Sequence, residues 1–261
     1  MRIGSAGPAV FAATLIALGL YGFVTGQFAA IWEPVPKALP GRQALAYLCA
    51  LVALVGGAGL FWRRSALAGA LLVWLLAWMP LVTGRFIWGA PLKVGPWENC
   101  AETAVLAAAA WTLYADRANA AGPLGFAAGE RGLTIARTIF GLALIVFGLA
   151  HFAYLELTAP LVPGWLPWHV GWAYFTGGTY IAAGVAVIAG ILARPAAMLA
   201  AVQIGLFTLL VWAPKVAAGS KDPSVWSEAV ISWTLTAAAW AVAESYGQAP
   251  WVMMRAKSGK R

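Results

Sequence analysis

The 261-residue sequence predicts an all-α integral membrane fold of eight transmembrane helices, arranged as two parallel-repeat four-helix bundles, and three observations carry that prediction. The chain is 62% hydrophobic and 10% charged, with a mean hydropathy of +0.80. Soluble chains are about 45–50% apolar and about 25% charged. The apolar residues fall into eight runs, some reaching the ~20 residues needed to cross a hydrocarbon core of about 30 Å only with their interfacial ends. The order and spacing of those runs repeat once along the chain. Helices are the spanning form this pattern admits, because backbone groups in lipid must bond within their segment and no alternating barrel pattern is visible. Fifteen tryptophans suit the same setting, since indoles gather at membrane interfaces.

The first run, 8–30, follows Arg2 in the manner of a signal peptide. It continues without a convincing cleavage site and has a counterpart later in the chain, so it reads as a membrane helix. Runs two and three, 42–62 and 65–83, are separated by the short turn "WRRSA", and run four covers 98–115. The polar, Gly-rich stretch 116–132, "DRANAAGPLGFAAGERG", reads as a linker. Runs five and six, 133–155 and 169–193, flank a proline-broken segment; run seven, 195–213, follows the turn "LARPA"; run eight, 225–245, leads into a basic tail. With eight crossings, eleven of the seventeen Lys and Arg residues fall on the side holding both termini and six on the other. By the positive-inside rule both termini are expected in the cytoplasm, in a bacterial inner membrane. The basic residues are scattered singly between apolar runs, which gives the net charge of +8 a topological meaning and argues against nucleic-acid binding.

Three pairs of segments carry the internal repeat. "QFAAIWEPVPKALPG" from Gln27 resembles "HFAYLELTAPLVPG" from His151, "LAYLCALVALVGGAG" from Leu45 resembles "WAYFTGGTYIAAGVA" from Trp172, and "WENCAETAVLAAAAW" from Trp97 resembles "WSEAVISWTLTAAAW" from Trp226. Residues 1–115 and 133–261 are then two copies joined by a cytoplasmic linker. Four crossings per copy give both copies the same sense in the membrane.

The second copy also carries a pattern of its own. A run ending in "FGLAHF", a loop "APLVPGWLP", then "YFTGGTYIAAGVAVI" and a short Arg-containing turn resemble the DoxX family of small four-helix bacterial membrane proteins. Relatives of that family include the membrane subunit of thiosulfate:quinone oxidoreductase. The resemblance covers 133–213 best and 10–80 more weakly. It implies the four-helix unit and, through those relatives, a quinone-linked redox setting. The family tends to carry an acidic residue early in the second helix, in a "TG..E" context; here that place holds Tyr180, and Ala53 in the first copy.

Both histidines of the chain, His151 and His169, stand at the two ends of the proline-broken segment. One reading is a pocket in which an imidazole hydrogen-bonds a bound quinone lying among Trp165, Trp168, Trp172, Tyr174 and Tyr180, with His151 as the carbonyl partner. A plainer reading is an aromatic belt with two histidines anchoring helix ends. A third, less favoured, is a haem b held axially by the two histidines. No intrinsic cofactor and no zinc or iron site is expected, because Glu156, Asp222 and Glu228 have no recognisable ligand spacing. Glu98 and Glu102 share one helix face, and Glu228 occupies the matching region of run eight. An acid in a membrane is a functional candidate, but structural ion pairs with Arg85, Lys93, Lys215 or Lys221 are the favoured reading. Gln203 reads as an interhelical hydrogen bond, and Cys49 and Cys100 as packing residues.

No nucleophile triad, phosphate-binding loop or dinucleotide motif occurs. The expected function is therefore a membrane subunit of a quinone-linked redox system, whose electrons come from a membrane or periplasmic partner protein. The alternatives are a structural or assembly subunit of a larger membrane complex and a transporter of small molecules or lipids.

Overall fold

The computed structural model describes residues 5–62, 65–118 and 124–247. The basic tail and the middle of the expected linker lie outside the described residues. The expectation of an all-helical chain holds: eight long helices and no strand occur among the described residues. They are α1 (Ala6–Thr25), α2 (Arg42–Phe61), α3 (Ala66–Gly89), α4 (Val94–Ala115), α5 (Gly129–Ala153), α6 (His169–Ala189), α7 (Ala193–Ala217) and α8 (Pro223–Glu244). Six of these, all except α4 and α8, are long and apolar enough to cross a membrane.

Local chemistry explains where the helices depart from the apolar runs. Helix α1 ends at Thr25 because Gly26 adopts a left-handed conformation, φ 65°, and returns its N–H to the Gly22 carbonyl. Helices α3 and α7 continue past their runs through single π-helical turns, Met79–Thr83 and Thr208–Trp212. The first turn contains Pro80 and the second is followed by Pro214, and a proline's missing N–H interrupts the regular ladder. Asp222 caps α8, accepting from the backbone N–H and the hydroxyl of Ser224, both at 2.8 Å. Its carboxyl, fully exposed, is held below its ordinary 3.8 by those two bonds.

The helices pack as a closed circuit: α1 on α2, α2 on α3, α3 on α4, α4 on α5, α5 on α6, α6 on α7, α7 on α8, and α8 back on α1. Helices α4 and α8 also pack on each other and form the centre. This accounts for their lower apolarity. Ala107–Ala110 and Ala237–Ala239 are buried there among protein, and small residues let central backbones approach closely. The outer helices carry their large apolar side chains outward, with Val24 85% and Leu199 67% exposed. An apolar exterior of this kind is compatible with a multi-pass membrane protein.

Several local arrangements occur twice. The Trp97 indole donates to the Pro91 carbonyl at 2.9 Å, and the Trp226 indole to the Ser220 carbonyl at 2.9 Å. A Cβ on Gly57 of α2 would stand 2.7 Å from the Ala12 carbonyl and 3.0 Å from Ile16. On Gly184 of α6 it would stand 2.5 Å from the Gly141 carbonyl and 2.8 Å from Ile145. Cross-links close the circuit. Trp233 donates to Thr14 at 3.0 Å, the Gly7 N–H to Glu244 at 3.0 Å, and Arg137 to the Ser245 hydroxyl at 3.1 Å and to its carbonyl. The Arg137 guanidinium also stacks 4.1 Å over the Tyr246 ring.

Candidate functional site

The last turns of α5 bring His151 against α6 and α7. A Cβ on Gly177 of α6 would lie 2.9 Å from the His151 Cβ, so the bare backbone at Gly177 makes room for this side chain. The imidazole lies 5.4 Å from the Tyr180 ring and 5.6 Å from the Phe207 ring, edge-on to the latter. Its Nδ1 is 2.8 Å from the Phe147 carbonyl. A carbonyl only accepts, so Nδ1 carries the proton and donates it. Nε2 is buried and has no hydrogen-bond partner.

After α5 the chain forms a helical turn, Leu155–Thr158, and a 3-10 turn, Ala159–Leu161, that contains Pro160; Pro163 follows the end of the helical run. Thr158 donates back to the carbonyls of Tyr154 at 3.2 Å and His151 at 3.3 Å. The Tyr154 phenol accepts from the Gly95 N–H at 2.8 Å, tying this segment to the start of α4. The segment covers one end of a cavity of about 640 Å³ between α6 and α7, a size in the usual range for ligand sites. The walls are chiefly aliphatic and aromatic, from Leu161 and Trp172 at the covered end to Leu192 and Pro195 at the other. Lining residues Phe175, Leu199 and Leu206 are also exposed on the outside, so the cavity opens sideways between the two helices.

Polar groups gather near His151. Gln203 of α7 accepts from the Thr179 hydroxyl at 2.7 Å and donates to the Thr176 carbonyl at 3.0 Å. It is thus an α6–α7 bridge that also lines the cavity.

The sequence-predicted site divides accordingly. His151 and Trp172 line the cavity, and Tyr180, 5% exposed, stands behind His151. Trp165, Trp168, His169 and Tyr174 do not line it; Trp165 is 71% and Trp168 86% exposed, because both precede α6 on its outer face. They correct the expected aromatic walls, which Phe175, Phe207 and leucines supply instead. The two histidines share no cavity. Thr158, Thr176, Thr179 and Gln203 are lining residues that the sequence reading does not single out as such: Thr176 and Thr179 recur three apart on α6, Thr158 precedes that helix and Gln203 stands on α7.

The acids meet elsewhere. Glu98, Glu102 and Glu228 interact with one another across the α4–α8 contact. None of them is in a salt bridge among the described residues, where Glu33–Arg42 at 2.6 Å is the pair seen. The favoured ion pairs with Arg85, Lys93, Lys215 and Lys221 are thus not formed. Cys49 is buried and free, and Cys100 is half-buried and hydrogen-bonded to Thr83. No three His, Cys, Asp or Glu side chains gather as metal ligands among the described residues.

Aromatic rings pack closely between the segment after α1 and helix α3. Trp78 contacts Phe28, Trp32 and Trp74 at ring separations of 6.4, 5.4 and 5.9 Å, and Trp32 and Trp78 are buried. No family model, curated protein or solved structure matches the chain.

Proposed function

We propose that the protein is a DoxX-like, eight-crossing protein of the bacterial inner membrane that binds an isoprenoid quinone-type lipid in the α6–α7 cavity. It would serve as the membrane subunit of a redox system whose electrons come from a partner protein. The observation that carries this reading is the cavity itself: apolar along its length, open toward the surrounding lipid, and furnished at one covered end with His151, Thr158 and Gln203. Its lining on α7 runs from Pro195 to Val211, a length of roughly 24 Å at 1.5 Å per residue.

A duplicated unit is part of the proposal. The pairs Ala12 and Gly141, Ile16 and Ile145, Met79 and Thr208, and Trp97 and Trp226 are each 129 positions apart, and Gly57 and Gly184 are 127 apart. In this register Gly22, not Gln27, corresponds to His151, and Trp74 and Trp78 correspond to Gln203 and Phe207. Tryptophans then fill the first copy where the second is hollow, which supports a single site.

The test is to purify the protein from membranes, extract its bound lipids and identify them. A near-stoichiometric quinone, lost from His151→Ala, is the expected result. Unchanged quinone content in that variant removes His151 from the site, and bound phospholipid alone removes the quinone reading. Lipid transport is a second reading, favoured by the depth of the groove; it predicts accelerated movement of a labelled isoprenoid lipid between the leaflets of reconstituted vesicles.

A further inference from the structure

The hydrogen-bonding sense of the cavity restricts its occupant further, on the reading that a quinone-type lipid binds there. The hydroxyls of Thr158 and Thr176 donate to backbone carbonyls of their own segments, and that of Thr179 to the Thr176 carbonyl and Gln203. The Gln203 amide donates to the Thr176 carbonyl. His151 has spent its one N–H on Phe147. Among the described residues, His151 Nε2 is the one buried polar side-chain atom without a partner that belongs to a lining residue. It presents a lone pair. Among the described residues no carboxylate lines the cavity to balance an imidazolium, which would turn Nε2 into a donor. Trp172 has a free indole N–H, but it stands more than a third exposed at the rim, where water or a headgroup can take it.

We propose that this cavity selects an apolar-tailed lipid bearing a hydroxyl on its head, donated to His151 Nε2, and therefore takes the quinol in preference to the quinone. The physical reason is an asymmetry. A quinol hydroxyl donates to the waiting lone pair. A quinone carbonyl in the same position sets two acceptors face to face and leaves both unsatisfied in an apolar space. Gly177 acts here as a positioning residue, since the approach of α6 to His151 fixes where the lone pair sits.

The shared chemistry is a lipid hydroxyl, and its source is either a quinol or an isoprenoid alcohol. The full-length protein, delipidated in detergent, is titrated with decylubiquinol kept reduced under anaerobic conditions, with decylubiquinone, and with farnesol. Binding is read by isothermal titration calorimetry. The quinol should bind roughly ten-fold more tightly than the quinone, as expected when one hydrogen bond is gained rather than opposed. His151→Phe should reduce that preference to about two-fold or less, while His151→Gln, which offers both a donor and an acceptor, should admit the quinone. The wild-type comparison stands even if a variant fails to fold. Equal or tighter binding of the quinone overturns the donor requirement and leaves the quinone site standing. Binding of farnesol without either quinone species keeps the hydroxyl requirement and overturns the quinone reading. Binding of none of the three overturns both.

Discussion

At His151 two neighbours decide what the side chain can do. The Phe147 carbonyl sets the tautomer, and Gly177 provides the space. Gly177→Ala would drive a methyl to 2.9 Å from the His151 Cβ, closer than such atoms approach, so α6 and α5 must separate. The expected outcome is a loss of about 1–3 kcal/mol of stability, typical of overpacking, with weaker ligand binding; unfolding in detergent and a titration measure the two together. In the first half, Trp78→Ala should cost about 3–5 kcal/mol by emptying a packed site, as read by the same unfolding measurement. The space it opens carries Gly22 where the second copy has His151, so the binding stoichiometry should stay at that of the parent protein. At this scale the sequence was partly legible. A lone histidine with aromatic neighbours in an apolar chain stands out, and His151, Trp172 and Tyr180 do lie together. Trp165 and Trp168 stood out equally for their ring chemistry, but which way a ring points depends on the start of α6, where Trp168 itself takes a left-handed backbone conformation, φ 58°. Thr176, Thr179 and Gln203 were illegible as cavity lining because a polar residue in an apolar helix reads the same whether it binds a neighbour or faces a void.

Helix existence follows from hydropathy; helix ends follow from caps and interruptions. The eight runs match eight helices, yet α3 and α7 extend beyond them because π turns carry the chain past Pro80 and Pro214 into more polar sequence. Conversely α1 stops early, since a glycine with φ 65° satisfies its last carbonyls. The Asp222 cap supplies a test at the start of α8. A carboxyl held below 3.8 stabilises the fold fully above that value and loses its contribution as the pH falls through the depressed one. Asp222→Ala should therefore hasten amide exchange at Ser224 at neutral pH. The difference from the parent should vanish in acid strong enough to protonate Asp222, with the comparison made at matched intrinsic exchange rates. Contacts between helices were not legible in the same way, because a hydropathy profile does not say which face meets which. That α4 and α8 are central has one sequence correlate, their runs of alanine alongside glutamate.

The molecule as a whole is one circuit of eight helices bridged across its middle by the α4–α8 contact, with α8 tied to α1 through Glu244 and Trp233. If all eight helices cross, the residues flanking α1 and α8 share one side of the membrane. Single cysteines at Ser5 and Ser245, in a protein whose own Cys49 and Cys100 are replaced, should react with an impermeant maleimide only after spheroplasts are opened. Labelling of one in intact cells would mean an odd number of crossings.

The sideways mouth between α6 and α7 has a consequence for anyone weighing an occupant. A molecule that arrives through such a slot never meets bulk water, so occupancy follows its mole fraction among the surrounding amphiphiles rather than its molarity. Adding micelles at constant total ligand should empty the slot, and packing the same ligand into fewer, smaller vesicles should refill it.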